Sequence, residues 1–399
     1  MSVVWVYNAQ EAANAVQECL ADGTSLALRG RGTKSALGRP VTVARTLDLS
    51  RIAGAVRYEP DELILTVKAG TPLSDIEPML KEHRQILPFE PPDWGPFFGA
   101  SERRGTIGGA LGADLCGSRA FKSGRPRDAL LGFTAVNGFG EAYKAGGRVV
   151  KNVTGYDLPK LMCGAFGTLG PLIEVTLKVL PAPEREDTIV LRGMTAPEAL
   201  RLLRGIAGEP LEATGLAHLS GELARHLEGV LGVAEGLTAI RFEGAREAVE
   251  ERVAILMGRF RRAGARKLGG DVSHDLWKRV GNLDLLARES GIVWRIVAPP
   301  FAAPAIASEI GPQAAQYDWA GGLLWLVLDD AAHAHANLVR TVAARHGAQA
   351  TLFRANEAIR AAHGVFQPLD TTLDRLTREV KAAFDPKAVF NPGRMYEGI

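Results

Sequence analysis

Cysteine is scarce in this chain. Its three residues, Cys19, Cys116 and Cys163, lie far apart in 399 positions and form no CxxC pair. That spacing excludes a disulfide framework and a zinc or iron–sulfur ligand pattern, and it suits a reducing cytoplasm. Excess charge is lacking too: 47 basic residues against 45 acidic ones leave a formal net charge of +2. The balance gives no electrostatic footprint for nucleic acid or for an anionic membrane surface. Long hydrophobic runs are missing as well. The longest, Ala320 to Leu328, falls far short of the roughly 20 residues a membrane helix needs. At the start, MSVVWVYNAQEAANAV has no basic leader, and Asn8 breaks its apolar run, so it does not read as a signal peptide. No direct membrane insertion is expected, and any membrane association would run through a partner.

What the chain does have is apolar content and clustered glycine. With 46% hydrophobic and 23% charged residues over 399 positions, a soluble globular protein of two domains is expected. The opening VVWVY reads as a strand. Asn8 followed by Glu11 gives a capping-box-like start to a helix carrying Ala13, Val16 and Leu20, which Asp22-Gly23 ends before the strand TSLAL. That strand runs into Arg29-Gly30-Arg31-Gly32-Thr33-Lys34-Ser35. Two glycines, three cations and two hydroxyls in seven residues supply what a diphosphate needs, a nest of backbone N–H groups with positive charge nearby. It is neither a dinucleotide fingerprint, which wants glycine where Ser35 stands, nor a P-loop, which wants Gly-Lys-Ser. A basic surface turn is the alternative.

Residues 56 to 70 alternate in strand fashion, and Ala69-Gly70-Thr71-Pro72 leads into a helix with Ile76, Met79 and Leu80. The proline-rich ILPFEPPDWGPFFGA that follows reads as an ordered, extended loop of the kind that lines a cavity. Gly105 to Pro181 then concentrates glycine at sharp changes of pattern. Thr106-Ile107-Gly108-Gly109 opens a small-residue helix, Leu130 to Val136 and Glu141 to Lys144 read as a hairpin around Asn137-Gly138-Phe139-Gly140, Leu161 to Gly164 as helix and Leu172 to Leu180 as strand. Glycine placed this way suggests a backbone wrapped around a bound molecule; a turn-rich region with nothing bound is the alternative.

Beyond residue 183 the strands DTIVLRG, GLAHLS, LTAIRFEG, VWRIVAP and LLWLVL alternate with helical segments. One of these sets Val249, Val253, Leu256 and Phe260 on one face. Arg295 and Arg354 are candidates for holding a carboxylate, with a structural ion pair as the alternative. His333 and His335 fall in a helical pattern and, two residues apart, are expected on different faces. His363 reads as structural, and no metal site is expected. A last amphipathic helix, TLDRLTREVKAAFDP, leads to AVFNPGRMY.

The ordered series RGRGTKS, AGTPL, LPFEPP, GTIGGAL and GGRVVKNVTGYDLPKLMCGAFGTLG, closing on KVLP, resembles the FAD-binding domain of the vanillyl-alcohol-oxidase (PCMH-type) flavoproteins. More closely, KNVTGYDLPKL is similar to the FAD-binding subunit of bacterial glycolate oxidase, or glycolate dehydrogenase. The resemblance spans roughly residues 5 to 183 and returns at Phe390-Asn391-Pro392-Gly393-Arg394. It implies an α+β chain: a PCMH-type FAD-binding domain of two α/β subdomains over 1–183, an α+β cap domain over 184–350, and a C-terminal segment, 351–399, returning to the first domain.

The resemblance also implies site residues. Arg29, Gly30, Arg31, Gly32, Thr33, Lys34 and Ser35 would surround the FAD diphosphate. Thr106, Ile107, Gly108 and Gly109 would lie along the nucleotide, and Gly164, Gly167, Thr168 and Gly170 would let the backbone pass close to the flavin. Lys151, Asn152, Gly155, Tyr156 and Asp157 would sit near the isoalloxazine or a subunit interface, with Asn391 and Arg394 approaching the flavin edge from the tail; a buried capping turn is the alternative for these last two. Some relatives attach flavin covalently through a histidine that this diphosphate loop lacks, so FAD is expected to be noncovalent. Catalytic subunits of the superfamily carry a GEHGxG-like motif whose histidine accepts the hydroxyl proton. No such motif stands here, and catalytic residues stay unassigned, with Tyr156, Arg295 and Arg354 as candidates. The expected role is an FAD-binding subunit of a multi-subunit dehydrogenase of glycolate, a small 2-hydroxy acid. Its partners would be a catalytic flavin subunit and an iron–sulfur subunit, in the cytoplasm or peripheral at the inner membrane through them. A stand-alone FAD oxidase or dehydrogenase of another small hydroxy acid or alcohol, and a non-catalytic scaffold subunit, are the alternatives.

Overall fold

The structure, a computed structural model, describes residues 2–148, 155–232 and 235–399. The chain divides into two compact units. The first takes residues up to Cys116, Gly124–Pro181 and Pro368–Ile399; the second takes Gly117–Ser123 and Ala182–Gln367.

The first unit opens with β1 (Ser2–Trp5), α1 (Ala9–Asp22), β2 (Leu26–Arg29) and β3 (Arg45–Asp48). These strands form a parallel sheet in the order β1-β3-β2. α1 begins where it does because the Asn8 side chain accepts from the Glu11 N–H at 2.9 Å while the Glu11 carboxylate accepts from the Tyr7 N–H at 2.9 Å. Such a cap contributes about 1 kcal/mol. Gly23, at φ 63°, ends the helix. Its face of Ala12, Ala13, Val16 and Cys19 packs with Leu26, Leu47 and, from the far end of the chain, Val389 and Phe390.

The rest of the unit holds β4 (Ala55–Glu59), β5 (Ile64–Lys68), α2 (Leu73–Glu82), β6 (Gln85–Ile86), α3 (Ile107–Gly112), β7 (Leu130–Val136), β8 (Ala142–Gly146), β9 (Leu172–Lys178) and β10 (Leu180–Pro181). An antiparallel sheet runs β4-β5-β9-β7-β8, and β10 pairs with β6. The alternating stretch 56 to 70 is therefore two strands, divided by a 3-10 turn at Pro60–Glu62 where proline fixes φ. The short helix expected at Leu161 to Gly164 is Leu158–Met162, started earlier by the Asp157 side chain, which accepts from the Lys160 N–H. The final helix, Thr371–Phe384, is capped by Asp370.

The second unit is built on one eight-stranded antiparallel sheet. Its strands are β11 (Arg185–Arg192), β12 (Gly215–Leu219), β13 (Leu237–Gly244), β14 (Arg266–Gly269), β15 (Ile292–Val297), β16 (Ala314–Asp318), β17 (Leu323–Leu328) and β18 (Gln349–Arg354). They run β14-β11-β13-β12-β16-β17-β15-β18. Both units mix helix with sheet, as an α+β chain should. Where the sequence pattern divides the chain at 350, the structural division falls at Gln367. The reason is β18, which pairs with β15 across Val293 to Val297 and holds Val365 through the Leu352 N–H at 2.8 Å. Among the described residues no helix is long and apolar enough to cross a membrane.

Candidate functional site

A cleft with an empty space of about 990 Å³, mouth included, opens in the first unit. Its floor starts at the C-terminal end of β2, where Leu28 and Arg29 hand the chain to the loop Gly30 to Ser35. Two glycines serve this loop for different reasons. A Cβ on Gly30 would stand 2.7 Å from the Thr106 Oγ1, so that position needs close approach; Gly32 has room around it but sits at φ 74°. Among the described residues the N–H groups of Arg31, Gly32, Thr33 and Lys34 meet no protein acceptor. Four consecutive open donors form an anion nest.

Charge is arranged to match. Arg29, Arg31, Lys34 and Arg394 line the cleft, and among the described residues no carboxylate does. Arg29 is oriented from behind by Asp48, whose Oδ2 accepts from Nε at 3.0 Å and Nη2 at 2.8 Å. Lys34 is desolvated, which lowers its pKa from the ordinary value, while the Asp93 carboxylate pulls it back up. Arg394 comes from the tail, and its Nη2 donates to the carbonyls of Lys34 at 3.2 Å and Ser35 at 3.1 Å, closing the loop from the other side.

The opposite wall is made by α3 and the turn after Ala165. Thr106 caps α3, its Oγ1 accepting from the Gly109 N–H at 3.2 Å, and Gly108 lies so close to Ala69 that a Cβ would sit 2.8 Å from its carbonyl. Gly167 and Gly170 line the cleft beside Phe166, Pro171 and Leu172. Asn391 locks this wall to the floor: its Oδ1 accepts from the Leu28 N–H at 2.8 Å and its Nδ2 donates to the Phe166 carbonyl at 2.7 Å. The donor set fits a diphosphate, and the apolar lining of Leu28, Leu49, Ala69, Met162, Phe166 and Leu172 fits a flat aromatic ring system.

Of the residues singled out in the sequence, Arg29 to Ser35, Thr106, Gly108, Gly109, Gly167, Gly170, Asn391 and Arg394 line this one cleft. Others do not. Ile107 is fully buried in the core, because the start of α3 turns it away from Thr106 and Gly109. Thr168 is buried and donates to the Ala165 carbonyl at 2.8 Å, and Gly164 stands against Asp114. Gly155, Tyr156 and Asp157 lie outside the lining; Tyr156 is 91% exposed, and Asp157 pairs with Lys160 at 2.9 Å. Lys151 and Asn152 lie outside the described residues. The sequence reading missed the apolar lining, where the available signal was position: Leu28 directly precedes the basic loop, and Phe166 and Leu172 flank the glycine-rich turn.

The second-unit candidates are engaged otherwise. The Arg354 guanidinium donates to the carbonyls of Glu289 at 2.6 Å, Leu286 at 3.2 Å and Gly291 at 3.3 Å. Arg295 lies over the Trp325 ring, 5.7 Å from its centroid. His333 and His335 are not on a helix: the helix begins at Ala336, with His335 as its N-cap at φ 52°. The turn brings their rings edge to face at 4.8 Å instead of separating them, and His335 Nε2 contacts Asp329 at 2.6 Å. His363 Nε2 meets the Ala332 carbonyl at 3.1 Å. Among the described residues no three His, Cys, Asp or Glu side chains group to hold a metal ion.

With that geometry in place, a sequence model described as an FAD binding domain matches residues 2–146. Over 382 residues the chain is 35% identical to glycolate oxidase subunit GlcE of Escherichia coli (strain K12), covering 96% of this chain and 95% of that one. The chain belongs to the GlcE family. FAD is accordingly its cofactor, and its class is that of FAD-dependent oxidoreductases. Glycolate oxidase subunit GlcD of Bacillus subtilis (strain 168) is 29% identical over 190 residues, 47% of this chain and 39% of that one. Among solved structures, p-cresol methylhydroxylase with substrate bound matches with a TM-score of 0.75 at 14% identity, over 98% of this chain and 88% of that one. The fold is thus shared with PCMH-type flavoproteins far beyond any similarity of sequence.

Proposed function

We propose that the chain is the FAD-carrying subunit of a multi-subunit glycolate dehydrogenase, oxidising a small 2-hydroxy acid together with partner subunits. The observation that carries the binding half of this reading is the Arg31 to Lys34 nest facing four cleft-lining cations. Arg29 to Ser35 would hold the diphosphate, with Thr106, Gly108 and Gly109 along the nucleotide and Gly167, Gly170 and Asn391 against the far end. When bound, FAD supplies the redox chemistry; the protein supplies position, electrostatics and exclusion of water. Among the described residues the lining includes no His, Cys or Tyr, which supports noncovalent retention.

The same lining supports a division of labour. Among the described residues its titratable side chains are the arginines and Lys34, with no Asp, Glu or His. A hydroxy acid needs a group to take its hydroxyl proton as electrons leave. We therefore assign that step to a partner flavin subunit, with an iron–sulfur subunit as the onward electron carrier, and any membrane association to the partners. The test is to purify the full chain with and without the partner subunits of a glycolate oxidase, and to record flavin absorbance before and after glycolate. A yellow chain that glycolate reduces only in the assembled complex is expected. A colourless chain not stabilised by added FAD would overturn the cofactor reading, since a real site raises stability by RT ln(1 + [FAD]/Kd). Reduction by glycolate in the isolated chain would overturn the division of labour.

A further inference from the structure

The final helix, Thr371–Phe384, is inside out. Leu373 and Leu376 are 49% and 52% exposed, while its one buried side chain is Lys381. A buried ammonium has three protons that need acceptors, and here each has one. Lys381 Nζ donates to Asp385 Oδ2 at 2.6 Å, to the Thr168 carbonyl at 2.6 Å and to the Phe390 carbonyl at 3.0 Å. Asp385, also buried, accepts in turn from the N–H groups of Val389 at 2.9 Å and Phe390 at 2.8 Å.

These partners frame the cleft. Thr168 lies between Gly167 and Gly170, and Phe390 precedes Asn391, all three flanking residues being part of the lining. One ammonium therefore joins two segments distant in sequence, and Asn391 carries the join on to β2 and Phe166. Stability alone does not explain the choice, because an apolar pair of similar volume commonly serves as well as a buried ion pair. What an apolar pair lacks is directional donors for two carbonyls.

We infer that Lys381, with Asp385 as its counter-ion, is a positioning residue for FAD: it fixes the Gly167 to Gly170 turn and the Asn391 tail at the separation the bound cofactor requires. This rests on the reading that the cleft holds FAD. The test uses the full chain stripped of flavin, comparing the melting temperature of the FAD-free protein with its FAD dissociation constant from fluorescence titration. In Lys381→Met, Asp385 stays charged and unpaired, so both melting temperature and affinity fall. In Asp385→Asn, the two carbonyl bonds persist; the melting temperature falls while affinity stays within about threefold of wild type. In the double variant the unpaired charge is gone, so the melting temperature rises above that of Lys381→Met, though the carbonyls of Thr168 and Phe390 that still lack a donor hold it below wild type; affinity stays as low as in Lys381→Met, about tenfold or more below wild type. Affinity that follows the melting temperature through all three variants would reduce Lys381 to a structural role and overturn the inference. A wild-type chain that does not bind FAD would instead overturn the cofactor reading on which it rests.

Discussion

Arg119 and Arg354 in the second unit and Arg31 in the first are used in opposite ways. In the second unit these two guanidinium groups are answered by their own chain: Arg354 caps three carbonyls, and Arg119 forms a fork with Glu243 at 2.7 and 3.1 Å. In the first unit arginine stands beside glycine-rich backbone whose N–H groups are open. The difference teaches where to look for a ligand. Arginine on a regular strand amid bulky neighbours has carbonyls and carboxylates within reach, whereas arginine in a Gly-x-Gly loop has its neighbours removed and its donors aimed outward.

The harshest way to break this contrast is to fill the backbone approach in the first unit. Gly170 stands at φ 135°, and a Cβ there would meet the Val136 carbonyl at 2.3 Å. Gly170→Val is expected to abolish flavin retention, read as flavin absorbance per purified chain. Gly32→Val is milder, since its neighbours stand 3.5 Å away and the penalty comes from φ 74° alone. A branched side chain there costs about 1–2 kcal/mol, enough to weaken FAD binding about tenfold if the loop must hold this shape only when occupied. Wild-type affinity in Gly32→Val would remove the diphosphate from this loop.

Much of the site was legible because its chemistry is written in residue types that have few other uses. Gly30, Gly32 and the three cations among them announce an anion, and Asn8 with Glu11 announces a helix start. Legibility stops where a residue type has two uses. Leu28, Leu49 and Phe166 line the cleft but read as core, and Ile107 and Thr168, each neighbour to a lining residue, turn inward. Lys381 reads as a solvated charge on an amphipathic helix, yet it is the buried residue and the leucines are outside. In the second unit β14 is too short, and β16 too uniformly buried, to show a strand alternation, and β18 went unrecognised.

A sharper test of the first unit concerns pH. Burial lowers the Lys34 pKa below its ordinary 10.5, against the pull of Asp93. The charged form is the one that favours a diphosphate. FAD affinity should therefore weaken as pH rises through this lowered pKa, which lies below 10.5. Lys34→Met should lower affinity by about tenfold on the acid side of this limb, the worth of one charged hydrogen bond, and remove the limb. Parallel profiles for wild type and Lys34→Met would assign the limb to another group.

The gentlest perturbation of the cleft is the most informative about the second unit. Arg354→Met leaves every lining residue of the cleft in place but deprives the carbonyls of Leu286, Glu289 and Gly291 of their donor. Carbonyls left unsatisfied in a partly buried site cost about 1–3 kcal/mol. Denaturant unfolding should show that loss while FAD affinity stays at the wild-type value. If flavin retention fell with stability intact, Arg354 would belong with Arg31 of the cleft after all, and the contrast between that open guanidinium and the answered Arg354 would not hold.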